Sequence, residues 1–359
     1  MQHIHLAYNL SATKAQKGNL SNPIIATLQA VAEHGSILAA SKALGLSYRH
    51  VWGELKRWEK ELKQLLLHWE RGQAAQLTTF GQRLLYADAQ AKARLAPQIE
   101  ALQAELERGL ALAFDPNAKV IALHASHDEA LSRLRTHVAR ADLHLDISFT
   151  GSVDALRALN DGRCLVAGFH MRLPAQKDSY AAHTYRDLLI PGVHKILGFV
   201  QRSQGLIVAR GNPLKIKSLA DIAARKLRYI NRPAGTGTRV LLDELLAEVK
   251  LSKSAIQGYR KTEPSHQAAA LAVVQGVADV ALGIEAAAIS QGLSFVPLVQ
   301  ERYALVCHAQ ALNDPAVKLL AKQLKSAAWL SELASIAGYA PLQSGKVLKM
   351  TQVLPWWDF

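Results

Sequence analysis

The fold of the N-terminal part of the chain is decided by residues 30–59, AVAEHGSILAASKALGLSYRHVWGELKRWE, and residues 77–85, LTTFGQRLL. Ser36 and Ser47 are each placed to cap a following helix. Gly45 supplies the permissive residue that a tight turn between two crossing helices needs. The pattern predicts a helix, a tight turn, a second helix, a wing and a long third helix.

The helix that follows Ser47 has two different faces. Val51, Leu55 and Trp58 have the spacing of an apolar face held against the preceding helix. Its polar side chains are free to approach a groove of DNA, which makes it a candidate recognition helix. The predicted DNA-binding residues are Ser36, Ser47, Tyr48, Arg49, His50, Lys56 and Arg57. The residues alone leave open a second interpretation, a helical hairpin of some other all-α unit.

Residues 24–85 resemble the winged N-terminal domain of LysR-type and ModE-type transcription regulators. The resemblance lies in HGSILAASKALGLSYRHVW and LTTFGQRLL. In those families the first motif forms the helix-turn-helix, and the second follows the wing and opens the long helix through which two subunits pair. The resemblance implies a double-stranded DNA operator as partner. The predicted wing, residues 68–76, has fewer glycines and basic residues than a ModE-type wing usually has, which argues against minor-groove contact.

Length and charge suggest several packed units and anionic partners. A chain of 359 residues is expected to form two or three units, each with its own core. Its net charge is +13, and residues 111–359 hold 29 basic against 20 acidic side chains. Such an excess favours DNA phosphates or small anions as partners. The alternative for the second part is a basic composition without a specific role.

Other classes of protein are not indicated. Cys164 and Cys307 do not suggest a disulfide framework. The N-terminus lacks a signal-peptide pattern and no run of eighteen apolar residues occurs, so we expect a cytoplasmic protein without a membrane partner. His3 and His5 are interpreted as part of a tail rather than a metal site. Neither H-E-x-x-H nor G-x-S-x-G occurs, and we expect no enzymatic activity and no cofactor.

The pattern of predicted secondary structure changes after the wing. Residues 79–109 have continuous helical character, with leucines in a stripe that suits helix pairing, and Pro97 predicts a kink or a restart of the helix. Residues 114–119, FDPNAK, are typical of a linker. From Val120 onward strands alternate with helices, which predicts a largely parallel sheet. The pattern restarts near Gly205 and so indicates two α/β lobes.

Several loops follow predicted strands at the edge where α/β proteins bind ligands. Ser126 and His127 come directly after the strand at 120–125, and Gly151 and Ser152 come after the strand at 143–149. Each loop places a hydroxyl beside a helix start. The alternative for either serine is an ordinary helix N-cap.

The most distinctive loop is NRPAGTGTR, residues 231–239. Glycines permit close approach of the backbone to a ligand, threonines offer hydroxyls and arginines offer charge. The loop residues predicted to bind an anion are Arg232, Thr236, Gly237, Thr238 and Arg239. The loop has neither the Walker A order nor the dinucleotide fingerprint. A structural turn between strand and helix remains the alternative.

Residues 120–345 resemble the periplasmic-binding-protein-like domain of molybdate-binding type that is found in bacterial regulators. The resemblance is carried by residues 201–213, 231–246, 265–288 and 295–306. It implies two lobes that close on a ligand, with crossings near 197–201 and 298–303. The residues that it adds to the predicted ligand site are Arg202, His170 and His266, beside Ser126, His127, Gly151, Ser152 and the loop residues named above.

The predicted class is therefore α/β, with an N-terminal winged helix-turn-helix and dimerisation helix followed by a two-lobed type II periplasmic-binding-protein-like domain. The predicted divisions are 1–85 for DNA binding, 86–117 for the linker and dimerisation helix, and 118–359 for sensing. Lobe I comprises about 118–197 and 303–359, and lobe II about 198–302. We expect a homodimeric or tetrameric regulator that senses a small anion. Molybdate and tungstate are the first candidates for this anion. The alternatives are formate or another carboxylate, a molybdenum-cofactor-related molecule, and an anion-scavenging protein.

Overall fold

A computed structural model gives the fold, and it describes residues 22–68 and 74–357. His3, His5 and positions 69–73 of the predicted wing lie outside the described residues. The chain forms two compact units that are divided between Leu95 and Ala96. Within the described ranges, none of the helices has the length and apolar character needed to cross a membrane.

The N-terminal unit contains the predicted helix-turn-helix. Its elements are α1 (Pro23–His34), α2 (Ile37–Ala43), α3 (Tyr48–Leu62), β1 (Leu67–His68), β2 (Gln76–Leu77) and the first part of α4 (Thr79–Phe114). Ser36 Oγ accepts the Ala39 N–H and Ser47 Oγ accepts the His50 N–H, so both predicted caps are confirmed. Gly45 has a φ of 66°, the left-handed conformation that the turn requires.

The core of this unit explains the spacing of apolar residues. Leu28 and Val31 of α1 pack with Val51 and Leu55 of α3 and with Leu66, and all five are buried. The strands β1 and β2 pair antiparallel and form the base of the wing. The polar face of α3 points away from this core, as the sequence predicts.

Helix α4 runs without interruption through Pro97. The predicted restart at Pro97 is therefore wrong. Proline removes one backbone N–H donor and so one hydrogen bond of the helix. Because α4 has 36 residues, intact helical turns lie on both sides of this missing hydrogen bond. Several large apolar side chains of α4 are exposed: Leu95, Leu102, Leu106, Leu110, Leu112 and Phe114. Leu95, Leu102 and Leu106 belong to the stripe that predicts helix pairing.

The second unit is an α/β domain. Its strands are β3 (Lys119–Ala125), β4 (Leu143–Phe149), β5 (Val166–Leu173), β6 (His194–Val208), β7 (Tyr229–Ile230), β8 (Val280–Ile284), β9 (Ser294–His308), β10 (Tyr339–Pro341) and β11 (Val347–Leu348). Its helices are α5 (Glu129–Ala139), α6 (Ser152–Asn160), α7 (Tyr180–Tyr185), α8 (Leu219–Ala224), α9 (Gly237–Glu248), α10 (His266–Val274), α11 (Glu285–Ser290), α12 (Pro315–Gln323) and α13 (Ala327–Ala334).

One mixed sheet runs through this unit in the order β4-β3-β5-β9-β6-β8-β7. Strand β3 is parallel to β4 and β5, and β7 is parallel to β8. Strands β6 and β9 are antiparallel to each other and to their outer neighbours. The expectation of a largely parallel sheet is thus wrong at the centre. The apolar runs at 296–299 and 303–308 are both parts of the one strand β9.

The two central strands connect the lobes. Strands β6 and β9 have 15 residues each, long enough to pass through both lobes. The register between them shifts between Leu197 and Val200 and again between Gln204 and Gly205. Buried apolar clusters include residues of this pair: one extends from Leu145 of lobe I to Ala281 of lobe II, and another surrounds Leu242 of lobe II. The two-lobed α/β class is confirmed.

Candidate functional site

The candidate recognition helix α3 presents an exposed surface that combines aromatic rings and cations. Tyr48, Arg49, His50, Lys56 and Arg57 are all exposed. The rings of Tyr48 and Trp52 stack with centroids 6.3 Å apart, and Lys56 Nζ lies 4.8 Å from the Trp52 ring centre. Arg57 Nη2 is 2.6 Å from Glu54 Oε2. The α3 surface thus offers positive charge and flat rings, a combination suited to phosphates and base edges.

Glu59 fixes the end of this surface and was not predicted from the sequence. Its buried carboxylate accepts from Lys56 Nζ at 2.7 Å and from the Leu66 N–H at 2.9 Å. Burial works to raise the pKa of Glu59, but these hydrogen bonds outweigh it and lower the pKa. Glu59 therefore links α3 to the residues that enter β1.

In the second unit, a buried charge cluster occupies the middle of the crossing strands. Arg202 of β6 is paired with Asp128 and, through Nε at 2.8 Å, with Glu301 of β9. Tyr339 OH donates to Asp128 Oδ2 at 2.5 Å. Burial works to lower the pKa of Arg202, but Glu301, Tyr339 and Asp128 raise it well above its ordinary value. Two carboxylates already compensate the guanidinium of Arg202, which was predicted as a ligand residue.

Arg232 is in a different situation. It is 3 % exposed, and its Nε and Nη1 have no hydrogen-bond partner among the described residues. Burial and the nearby charge of Arg202 lower its pKa to about 9, although Glu263 acts in the opposite direction. Arg232 is therefore a buried cation with less counter-charge than it needs.

Two buried histidines lie close to these cations. Ser152 Oγ is 3.2 Å from His170 Nδ1, and the His170 ring stacks on Tyr303 at 3.8 Å. Thr238 Oγ1 is 3.5 Å from His266 Nε2. Burial, together with the charges of the nearby arginines, lowers the pKa of both histidines well below the ordinary value. Both imidazoles are therefore neutral at physiological pH.

Polar atoms without a partner concentrate around this centre. Within the part of the chain that the structure describes, the buried side-chain atoms that lack a hydrogen bond include Ser126 Oγ, His170 Nε2, Gln204 Oε1, Arg232 Nε, Arg232 Nη1 and His266 Nδ1. Unsatisfied buried polar groups are rare in native proteins and call for a ligand or water. We refer to the five residues that carry these atoms as the interlobe cluster.

The loop at 231–239 is divided between a binding role and a structural role. Thr236 Oγ1 donates to the Pro233 carbonyl and caps α9, as the alternative interpretation of the loop states. Arg239 packs 3.8 Å from the Tyr259 ring centre and donates to backbone carbonyls. Arg232 and Thr238 are the members of the loop that join the buried centre. The loop therefore supplies one cation and one hydroxyl.

Glycines bring the lobes into close contact beside the cluster. A methyl group on Gly237 of α9 would lie 2.5 Å from His170 Cβ of β5. A methyl group on Gly151 would lie 2.7 Å from the Gly235 carbonyl oxygen, and the Val153 N–H donates to that oxygen at 3.3 Å. The sequence therefore places glycine where backbone and side chains of opposite lobes meet.

His127 lies at the edge of the site and contacts the long helix. Its Nε2 is 3.2 Å from Glu100 of α4, and the second Glu100 oxygen accepts from Ser132 at 2.7 Å. A cavity of about 230 Å³ is lined by His127, Asp128, His266, residues of α5 and α11, and residues 335–337, which follow α13. Within residues 22–68 and 74–357, no group of three or more His, Cys, Asp or Glu side chains is arranged to hold a metal ion.

Sequence reasoning missed the groups that organise this centre. Asp128, Gln204, Glu301 and Tyr339 were not predicted as site residues, and they orient the ones that were. Asp128 could have been noticed because it directly follows the predicted Ser126 and His127. Gln204 and Glu301 carry no local signal because each lies inside a strand.

The fold and the two sites define a class, a DNA-binding helix-turn-helix unit joined to a two-lobed binding domain. A family described as the PBP superfamily domain matches residues 135–325, and the chain belongs to that family. Residues 24–82 match the family described as bacterial regulatory helix-turn-helix protein, lysR family. The chain thus joins a segment similar to the helix-turn-helix of lysR-family regulatory proteins to a domain of the PBP superfamily.

Two curated relatives are similar to this chain. An uncharacterized protein, YvgK, of Bacillus subtilis is 29% identical over 238 residues, which cover 66% of this chain and 76% of that protein. An uncharacterized protein encoded in the ferredoxin 2Fe-2S gene 5' region of Clostridium pasteurianum is 34% identical over 110 residues, 30% of this chain and 97% of that protein. Neither name states a ligand.

Solved structures of similar arrangement include CbnR, a LysR family transcriptional regulator. The similarity has a TM-score of 0.40 and 17% identity, and it covers 83% of this chain and 96% of that chain.

Proposed function

We propose that this regulator binds operator DNA through α3 as a dimer or tetramer, and that its two-lobed domain binds a small anion at the interlobe cluster. The observation that carries the proposal is Arg232, a buried guanidinium whose Nε and Nη1 find no acceptor among the described residues. A buried cation is costly unless a counter-ion is present. An anion placed there would supply both the charge and the missing hydrogen bonds.

The first candidates for the anion are molybdate and tungstate, because of the resemblance to molybdate-binding domains. Formate, another small carboxylate or a molybdenum-cofactor-related molecule are the alternatives. Anion binding would favour contact between the lobes, and this contact would change the spacing of the recognition helices in the oligomer. The strength of such a response is limited by the difference in affinity of the anion for the two lobe arrangements.

Thermal shift measurements on the full chain test the anion proposal. The candidates are molybdate, tungstate, sulfate, phosphate, formate and small carboxylates. A ligand that binds only the folded protein stabilises it and so raises its melting temperature. At a ligand concentration of one hundred times Kd, the gain in the free energy of unfolding is about 2.7 kcal/mol. Arg232→Gln is expected to abolish the shift. Arg210→Gln changes an exposed arginine of the same lobe and should retain it.

A shift that persists in Arg232→Gln would contradict the assignment of the cation. Absence of any shift in the unchanged protein would contradict anion sensing itself. An anion-scavenging protein, the alternative of another class, would bind the same anions with no effect on DNA retention in a gel-shift assay.

A further inference from the structure

Gln204 occupies the centre of the interlobe cluster, and its amide orientation is fixed by its neighbours. Its Nε2 donates to Glu301 Oε2 at 2.9 Å and to Thr238 Oγ1 at 3.2 Å. Glu301 also accepts from Arg202 and is therefore a carboxylate, which accepts hydrogen bonds only. Rotating the amide by half a turn would place two acceptor oxygens together. The amide nitrogen of Gln204 must therefore face Glu301.

This orientation leaves the amide oxygen of Gln204 without a partner. Gln204 is fully buried, and Oε1 accepts no hydrogen bond from the described residues. An oxygen can only be satisfied by a donor. Arg232 and the two histidines have unused ring or guanidinium nitrogens in the same cluster, but none of them donates to Gln204. The cluster thus has one unmet acceptor in addition to its unmet donors.

The histidines add to the donor side. Thr238 Oγ1 accepts from Gln204 and can donate its own proton to His266 Nε2, which lies 3.5 Å away. A neutral imidazole that accepts at Nε2 carries its proton on Nδ1, which is the atom without a partner. With this arrangement, the cluster offers an anion donors from Arg232 and His266, and it also holds the unmet acceptor of Gln204.

From this pattern we infer that the anion bound by the interlobe cluster itself carries a hydroxyl or N–H group, which donates to Gln204 Oε1. The inference rests on the proposed function of the site and narrows its ligand. Small hydroxycarboxylates and monohydrogen phosphate have the required donor. Molybdate, tungstate and sulfate are fully deprotonated near neutral pH and would leave Gln204 unsatisfied.

Isothermal titration of the full chain with matched pairs of anions tests this inference. Glycolate against acetate, and lactate against propionate, differ in a single hydroxyl. Phosphate against sulfate, molybdate and tungstate compares tetrahedral anions with and without a proton. A buried acceptor left unsatisfied costs enough to weaken binding roughly tenfold to a hundredfold. The donor-bearing member should bind more tightly by that factor.

The variant Gln204→Met removes the acceptor, together with the Nε2 donor to Glu301 and Thr238, with little change in shape. In Gln204→Met, the two anions of each matched pair are expected to bind with affinities within a few-fold of each other. Arg232→Gln should instead weaken the binding of both anions of each pair. Comparison of the pairs on the unchanged protein needs no variant, so the inference stays testable if Gln204→Met does not fold.

The outcomes separate the two proposals. Equal affinity within every pair, or tightest binding of molybdate or tungstate, would overturn the donor inference and leave the anion site standing. Absence of binding by every anion in the set would overturn the anion site and the inference with it. Tighter binding of the donor-bearing members that is lost in Gln204→Met would establish both.

Discussion

Replacement of Gly237 by alanine should weaken anion binding by forcing the lobes apart. The new methyl group would lie 2.5 Å from His170 Cβ, whereas carbon atoms in contact lie about 3.5–4.0 Å apart. The overlap of roughly 1 Å arises between α9 of lobe II and β5 of lobe I. Separation of the lobes relieves it directly.

The size of the effect follows from the cost of overpacking, about 1–3 kcal/mol. If the anion binds only when the lobes are in contact, this cost appears in full as lost affinity, a factor of roughly 5 to 150. Titration calorimetry with the anion that gives the largest thermal shift measures the factor. Small-angle X-ray scattering should show a larger radius of gyration for the variant.

Gly109→Ala is the matched control because Gly109 also lies in a helix, and its added methyl group would meet no described atom within 4 Å. It should bind the anion as the unchanged protein does. Unchanged affinity in Gly237→Ala would show that lobe contact at this point is not coupled to binding, and the reasoning would be refuted.

Three further changes test the two units. Arg49→Ala should weaken retention of operator DNA in a gel shift by about 1–3 kcal/mol without altering the melting temperature, and unchanged retention would remove Arg49 from the DNA surface. Glu59→Gln should lower the free energy of unfolding by about 1–3 kcal/mol near neutral pH. Because the folded state lowers the pKa of Glu59, this stabilisation is present above the ordinary pKa of 4.5 and is lost as the pH falls through the lowered value. A difference in melting temperature between Glu59→Gln and the unchanged protein that does not depend on pH would contradict the assignment of this stabilisation to the Glu59 carboxylate. The pKa values of His170 and His266 in the folded state lie well below 6.5. Below pH 6.5 the unfolded chain therefore binds more protons than the folded chain, and the melting temperature should fall as the pH is lowered. His266→Asn should make that decline shallower, and a parallel decline would exclude His266 as a contributor.

The helix-turn-helix could be predicted because its determinants are local. Ser36, Gly45 and Ser47 each act within four residues along the chain, through a cap or a left-handed turn. The apolar face of α3 repeats with the period of a helix. Glu59 could not be predicted because its role depends on Leu66, which reaches it only after α3 has ended.

The centre of the sheet could not be predicted because its pairing is distant in sequence. Strand β9 contains Pro297 and the charged residues Glu301 and Arg302, which locally resemble a break between two short strands. Pro297 pairs opposite Gly205, where the register shifts, so its missing N–H is accommodated there. Glu301 is buried at 1 % exposure because Arg202 and Gln204 bind it from β6.

Contacts between residues that are distant in sequence also decide which arginine is available to a ligand. Arg202 and Arg232 are equally basic in the sequence, and both are buried. Arg202 receives Asp128 and Glu301, which are separated from it by 74 and 99 residues, and its charge is satisfied inside the protein. Arg232 has the charge of Glu263 nearby, but its Nε and Nη1 find no hydrogen-bond partner among the described residues. In the proposed site, the positions of the carboxylates therefore decide which arginine is available to an anion.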